Sequence, residues 1–208
     1  MEKKIKIKNI LIGLALMAVF LIGGAAAFFT DTETAVNNFT VGDVEVSIDE
    51  PSWNPDEGAD ITPNKVIPKD PTLTNEGANP AYVFLKVSVP KAEIVTSSAD
   101  GAKEQKLVKE LFTYNINAGW TEINKEESND SNIYIYAYGT DSAMMPLQKG
   151  EKTPALFDSV KFINVVEGQI DGETLSLPVD SYAIQTADLE KTAPYDIYRL
   201  IAVQGEEE

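Results

Sequence analysis

Carboxylates are the reactive groups this sequence holds in quantity. Asp56, Glu57 and Asp60 lie close together, and Glu126, Glu127, Asn129 and Asp130 form a second acidic cluster. Hard oxygen ligands abound, and calcium is the one metal ion the composition favours. Neither cluster has the spaced Asp/Asn positions, the Gly and the distal Glu of a calcium loop. Solvated acidic loops are the plainer reading, and no cofactor is expected. Tyr134, Tyr136 and Tyr138 are the other candidates. On a strand they share one face, with Ile133, Ile135 and Ala137 on the opposite one. A tyrosine ladder suits a sugar or a partner subunit, and equally suits cross-strand packing in a sandwich. Trp53 and Trp120 read as core or loop anchors.

What is missing narrows the chemistry further. The 208 residues include no His and no Cys. That removes serine–histidine triads, the HExxH zinc site, thiol catalysis and disulfides. There is no Gly-rich phosphate loop. With 17 Lys+Arg against 33 Asp+Glu, a net charge of −16, there is no basic patch for nucleic acid. At 43% hydrophobic residues the chain can build a real core. These absences point to a protein that builds or binds, not to an enzyme.

The first residues read as an export signal. Lys3, Lys4, Lys6 and Lys8 precede an apolar run from Ile10 to Ala27 that ends Gly23-Gly24-Ala25-Ala26-Ala27. Ala25 and Ala27 meet the small-x-small rule of a signal peptidase, which places the cut before Phe28. The rival reading is a membrane anchor, since the run to Phe29 is about long enough to span a bilayer. The expectation is a signal peptide at 1–27 and a secreted chain that touches a membrane only through that segment when uncleaved. Its removal takes away four Lys and one Glu, leaving 13 basic and 32 acidic residues, −19 over 181 residues.

The elements that must position these side chains are mostly strands. Val44, Val46 and Ile48 alternate with polar residues at a period of two. Residues 81–89 are aromatic and β-branched between Pro80 and Pro90. Residues 133–138, 157–166, 182–185 and 197–203 are further strand candidates, and 113–116 with 120–123 suggest a ribbon around Asn117-Ala118-Gly119. Five prolines between 51 and 71 predict an extended crossing segment. Lys103–Phe112 has helical spacing, with Leu107, Val108, Leu111 and Phe112 on one face. The pattern predicts an all-β fold, an antiparallel β-sandwich with one short inserted helix. It would occupy 41–204, after an N-terminal extension at 28–40 and before an acidic tail at 205–208.

Several of these segments, in this order, match a known group. Ala27-Phe28-Phe29-Thr30-Asp31 followed by Asn38-Phe39-Thr40-Val41-Gly42 resembles the start of TasA/camelysin-type proteins. Lys69-Asp70-Pro71-Thr72-Leu73-Thr74-Asn75-Glu76-Gly77 with Pro80-Ala81-Tyr82-Val83 is similar to the "K-x-P-x-V-x-N-x-G … A-Y-V" signature of that group. Leu147–Thr153 before Leu156-Phe157, and Ala183-Ile184-Gln185, also fit. The stretches 51–68 and 95–130 have no counterpart.

The resemblance implies a jelly-roll sandwich, export through the SipW signal peptidase, and assembly into extracellular biofilm fibres. In such fibres the N-terminal segment of one subunit adds as a strand to the next. Here that segment would offer Phe28, Phe29, Val36 and Phe39, side chains that need burial in a neighbour's groove or in the chain's own sandwich. A head-to-tail contact that does not close gives filaments. Camelysin members are also classed as metalloendopeptidases, a label the composition gives no support.

Overall fold

The aromatic and β-branched stretch between Pro80 and Pro90 becomes the central strand, and it runs through Pro90 to residue 94. The computed structural model describes residues 44–187, 189 and 193–204. Its elements are β1 (Val46–Asp49), a 3-10 turn (Pro55–Gly58), β2 (Val66–Pro68), β3 (Thr72–Asn75), β4 (Ala81–Ile94), β5 (Leu107–Glu110) and β6 (Phe112–Thr113). Then come β7 (Trp120–Glu127), β8 (Ser131–Tyr138), β9 (Ser159–Phe162), β10 (Val179–Gln185) and α1 (Pro194–Gln204). Every strand pairing is antiparallel. The large sheet has the order β10-β4-β8-β7, with β5 also on β4; β2-β9-β6 and β1-β3 form two smaller sheets. The expected all-β antiparallel sandwich is what the chain adopts.

The core follows from the alternation. Val83, Leu85, Val87 and Val89 of β4 pack inward against Ile67, Leu73, Phe157, Val160 and Phe162. Full burial of each such side chain contributes about 1.5–3 kcal/mol. The opposite face of the large sheet is covered too. There Phe84, Ile135 and Ala137 meet Ile197 and Tyr198 of α1. A strand buried on both faces needs apolar residues at successive positions, which Val83-Phe84-Leu85 supplies.

One residue joins the two sheets through its backbone. The Leu111 N–H donates to the Pro90 carbonyl at 2.8 Å, on the β4 side, and its carbonyl accepts from the Ile163 N–H at 2.9 Å, just beyond β9. Leu111 itself is buried, and the strand on one side of it belongs to the large sheet while the strand on the other belongs to the small one.

Three local expectations are corrected. Lys103–Phe112 is not a helix: it contains β5 and the start of β6. β4 extends past Pro90 and offers its edge to Leu107–Glu110, so ladder bonds win over helical spacing. The apolar stripe splits accordingly, with Leu107 and Val108 exposed and Leu111 and Phe112 buried. Residues 197–203 are not a strand: they lie in α1, which opens on Pro194 and carries Asp196 in its first turn. Those two residues favour a helix start. The 113–116 and 120–123 ribbon does not form, because β6 pairs with β9 and β7 with β8. The proline-rich stretch also turns at several points, one of them where Asn54 caps the 3-10 turn by accepting from the Asp56 N–H at 3.1 Å. The boundaries at 27 and 40 and the tail at 205–208 lie outside the described residues.

Candidate functional site

An apolar groove opens where the proline-rich segment faces the loop leading into β10. Trp53, Ile61, Ile67, Phe112, Val160 and Leu177 line a cavity of about 280 Å³. It adjoins a cleft of about 570 Å³, with which it shares Gly58, Ile61 and Leu175. Phe162, Val165 and Ile170 continue the apolar lining there, and Asp60, Glu167, Asp171 and Glu173 make it acidic. Trp53 stands at the wall, 38% exposed. The Lys69 ammonium lies 5.3 Å from the Trp53 ring centroid while bonded to Glu50 at 2.6 Å. Gly58 lets the indole lie close, since a Cβ there would come within 2.7 Å of the ring. The groove exists because residues 51–63 and 165–177 face each other without forming a ladder.

A second cleft, of about 450 Å³, sits at the edge of the sandwich and is lined by Glu110, Tyr114, Glu122, Tyr134 and Tyr136 among others. The Tyr134 hydroxyl donates to Glu110 Oε1, which also accepts from Asn132 Nδ2 at 2.5 Å. The hydroxyls of Tyr114 and Tyr136 are 3.0 Å apart. The Tyr134 and Tyr136 rings stack at 6.3 Å with 17° between their planes. The Lys125 ammonium lies 5.1 Å from the Tyr134 ring centroid. Burial pushes the phenols of Tyr114 and Tyr136 well above the usual tyrosine range. Tyr134 is raised as well, by burial first and by its hydrogen bond to Glu110 second. Asn132 Oδ1 is buried without a hydrogen-bond partner.

Tyr134, Tyr136 and Tyr138 do share one face, opposite Ile133, Ile135 and Ala137, which lie on the α1 side. Tyr136 is in the core, and Tyr138 meets the Trp120 ring at 5.5 Å. Trp120 is a core anchor whose indole N–H donates to the Pro154 carbonyl at 3.0 Å. The packing reading of the ladder accounts for these contacts. Glu110 and Tyr114, which complete the cleft, were not legible in the sequence. They join it only because 107–113 is a strand that changes sheets.

The remaining candidates are placed as follows. Ala25, Ala27, Phe28, Phe29, Val36 and Phe39 lie outside the described residues. Asp56 and Glu57 sit in the 3-10 turn, with Asp60 just beyond it, and Glu126, Glu127, Asn129 and Asp130 occupy the end of β7 and its turn to β8. Among the described residues no group of three or more metal-ligating side chains converges. No helix among them is long and apolar enough to cross a membrane.

These features define a class: an antiparallel β-sandwich with an open apolar groove at one margin and a tyrosine–glutamate cleft at another. The family model described as camelysin metallo-endopeptidase matches residues 2–132, and the chain belongs to that TasA/camelysin family. No curated protein and no solved structure gives a significant match. The family description implies a metal ion. A catalytic zinc site takes three protein ligands, usually with His among them, plus an open position for water. The chain has no His or Cys, and its described carboxylates do not converge. The donor set does not fit such a centre, so no reaction step is routed through one.

Proposed function

We propose that this chain is a secreted structural protein, a subunit of extracellular biofilm-matrix fibres or a related cell-surface assembly. A SipW-type signal peptidase cuts before Phe28, and residues 28–40 of one subunit seat in the groove of the next. The observation that carries this reading is the apolar groove between 53–61 and 165–177, open at the margin of the sandwich. It is matched in chemistry by a tail carrying Phe28, Phe29, Val36 and Phe39. Burying those side chains supplies the driving force, and the head-to-tail geometry supplies the filament. The reading is non-enzymatic, in keeping with a donor set that lacks His and Cys. A metalloendopeptidase would show chelator-sensitive cleavage of casein by the pure protein.

Electron microscopy of chains beginning at Phe28 and at Val41 tests the assembly. Filaments are expected from the first and not from the second. Leu175→Asp, which puts a charge in the groove, should abolish them as well. Filaments from both lengths, or from neither, overturn the donated strand. In that case the chain is a monomeric or surface-associated binding module.

A further inference from the structure

In a chain without cysteine, packing and hydrogen bonds hold the two sheets together, and no disulfide can tie them. Tyr114 and Tyr136 are placed to add a covalent tie. Tyr114 follows β6 of the small sheet and Tyr136 belongs to β8 of the large one. Their hydroxyls are 3.0 Å apart and their rings meet edge-on at 6.3 Å. The ortho carbons flanking those hydroxyls are the positions at which phenoxyl radicals couple. Tyr134 stacks on Tyr136 and is half-buried where Tyr136 is buried, so an oxidant entering the open cleft reaches Tyr134 before Tyr136. Its hydroxyl already donates to the Glu110 carboxylate.

We propose that Tyr114 and Tyr136 are an oxidative coupling site, joined as a dityrosine by a peroxidase-type one-electron oxidant using hydrogen peroxide. The oxidant takes an electron from Tyr134, and the phenolic proton passes to Glu110. Tyr136 passes an electron to the stacked Tyr134 radical and releases its own phenolic proton to water in the cleft, while Tyr134 recovers its proton from Glu110. A second one-electron oxidation makes the Tyr114 radical. This second radical likewise sheds its phenolic proton; the two radicals form one carbon–carbon bond between ortho positions, and the two ring hydrogens shift to the phenolic oxygens, which restores both aromatic rings. The balance is two phenols and one hydrogen peroxide giving one biphenol and two waters. Fixing the two rings in contact favours this pair over encounters between molecules. All three phenols stay protonated at neutral pH, so oxidation has to shed a proton, and Glu110 is the group in place to take it.

The test treats the purified full chain, dilute enough to stay monomeric, with a peroxidase and hydrogen peroxide. Dityrosine fluorescence gives the rate, and peptide mass spectrometry gives the position. The expected product is a cross-linked peptide pair holding Tyr114 and Tyr136, lighter by two hydrogens, in a protein that unfolds at a higher temperature. Tyr114→Phe should lose that product. Glu110→Gln should slow its formation by on the order of tenfold or more, the usual worth of a placed proton acceptor, and should steepen the dependence of the rate on pH. Coupling confined to Tyr195, to the Tyr182–Tyr198 pair under α1, or to links between chains overturns the proposal. So does a product whose rate ignores Glu110→Gln. Peptide mapping of the unsubstituted chain decides the position even if a variant fails to fold.

Discussion

The side-chain amide of Asn75 donates to the backbone carbonyl of Leu147 at 2.8 Å, across 72 positions of sequence. The same nitrogen donates to the Asn79 carbonyl at 2.9 Å, and Oδ1 accepts from the Gly77 N–H at 3.0 Å. Asn75 is completely buried, and its own carbonyl accepts from the Gly150 N–H at 2.7 Å. One side chain therefore closes the β3–β4 turn and pins the 147–150 loop to it. Asn75→Ala should cost about 3 kcal/mol in urea unfolding, the sum of lost bonds and unpaired buried groups. Asn75→Asp should be no better, because a carboxylate cannot donate to the two carbonyls.

The tyrosine cleft makes stability sensitive to alkali. Folding raises the phenols of Tyr114 and Tyr136, chiefly through burial. Above about pH 10 the unfolded chain has released these protons and the folded chain still holds them. Loss of these protons then favours the unfolded state, and stability falls as pH rises. Melting temperatures between pH 8 and 11 followed by circular dichroism should drop, and Tyr114→Phe should flatten the slope of that drop.

The helix is held by few residues. Ile197 is fully buried against Phe84, Ile135 and Ala137. Ile197→Ala should destabilise the protein by roughly 2–4 kcal/mol, as for other large-to-small changes in a core. If α1 detaches, the outer face of the large sheet is bared, and a dye that binds exposed apolar surface should fluoresce before the main unfolding transition.

Assembly should depend on ionic strength. With residues 1–27 removed the chain carries −19, the groove has Asp60, Glu167, Asp171 and Glu173 in its lining, and the tail brings Asp31 and Glu33. Like charges must approach for the tail to seat, so salt or divalent cations should speed filament growth by screening. Light scattering between low and physiological salt measures this. Growth indifferent to salt would count against the proposed contact.

The strands were legible wherever alternation and β-branching agreed, as in residues 81–89 and 133–138. The sequence misled where a partner strand decided the outcome. Leu107, Val108, Leu111 and Phe112 have helical spacing, but the free edge of β4 takes Leu107–Glu110 into the sheet. At the C-terminus Pro194 and Asp196 were usable helix-start signals, overridden by the apolar residues that follow them. The groove had no sequence signature at all. It comes from two loop segments, 51–63 and 165–177, that face each other without pairing. The tyrosine face was readable from a period of two, but its partners Glu110 and Tyr114 depend on a strand changing sheets at Leu111.

That change of sheets has a mechanical consequence. A pull on β4 reaches β5 through a ladder of four paired residues loaded together in shear. From β5 it passes along the covalent backbone of Leu111 into β6 and on to β9. Tension in a filament of such subunits would thus cross from sheet to sheet without relying on side-chain packing, the weakest medium for carrying force.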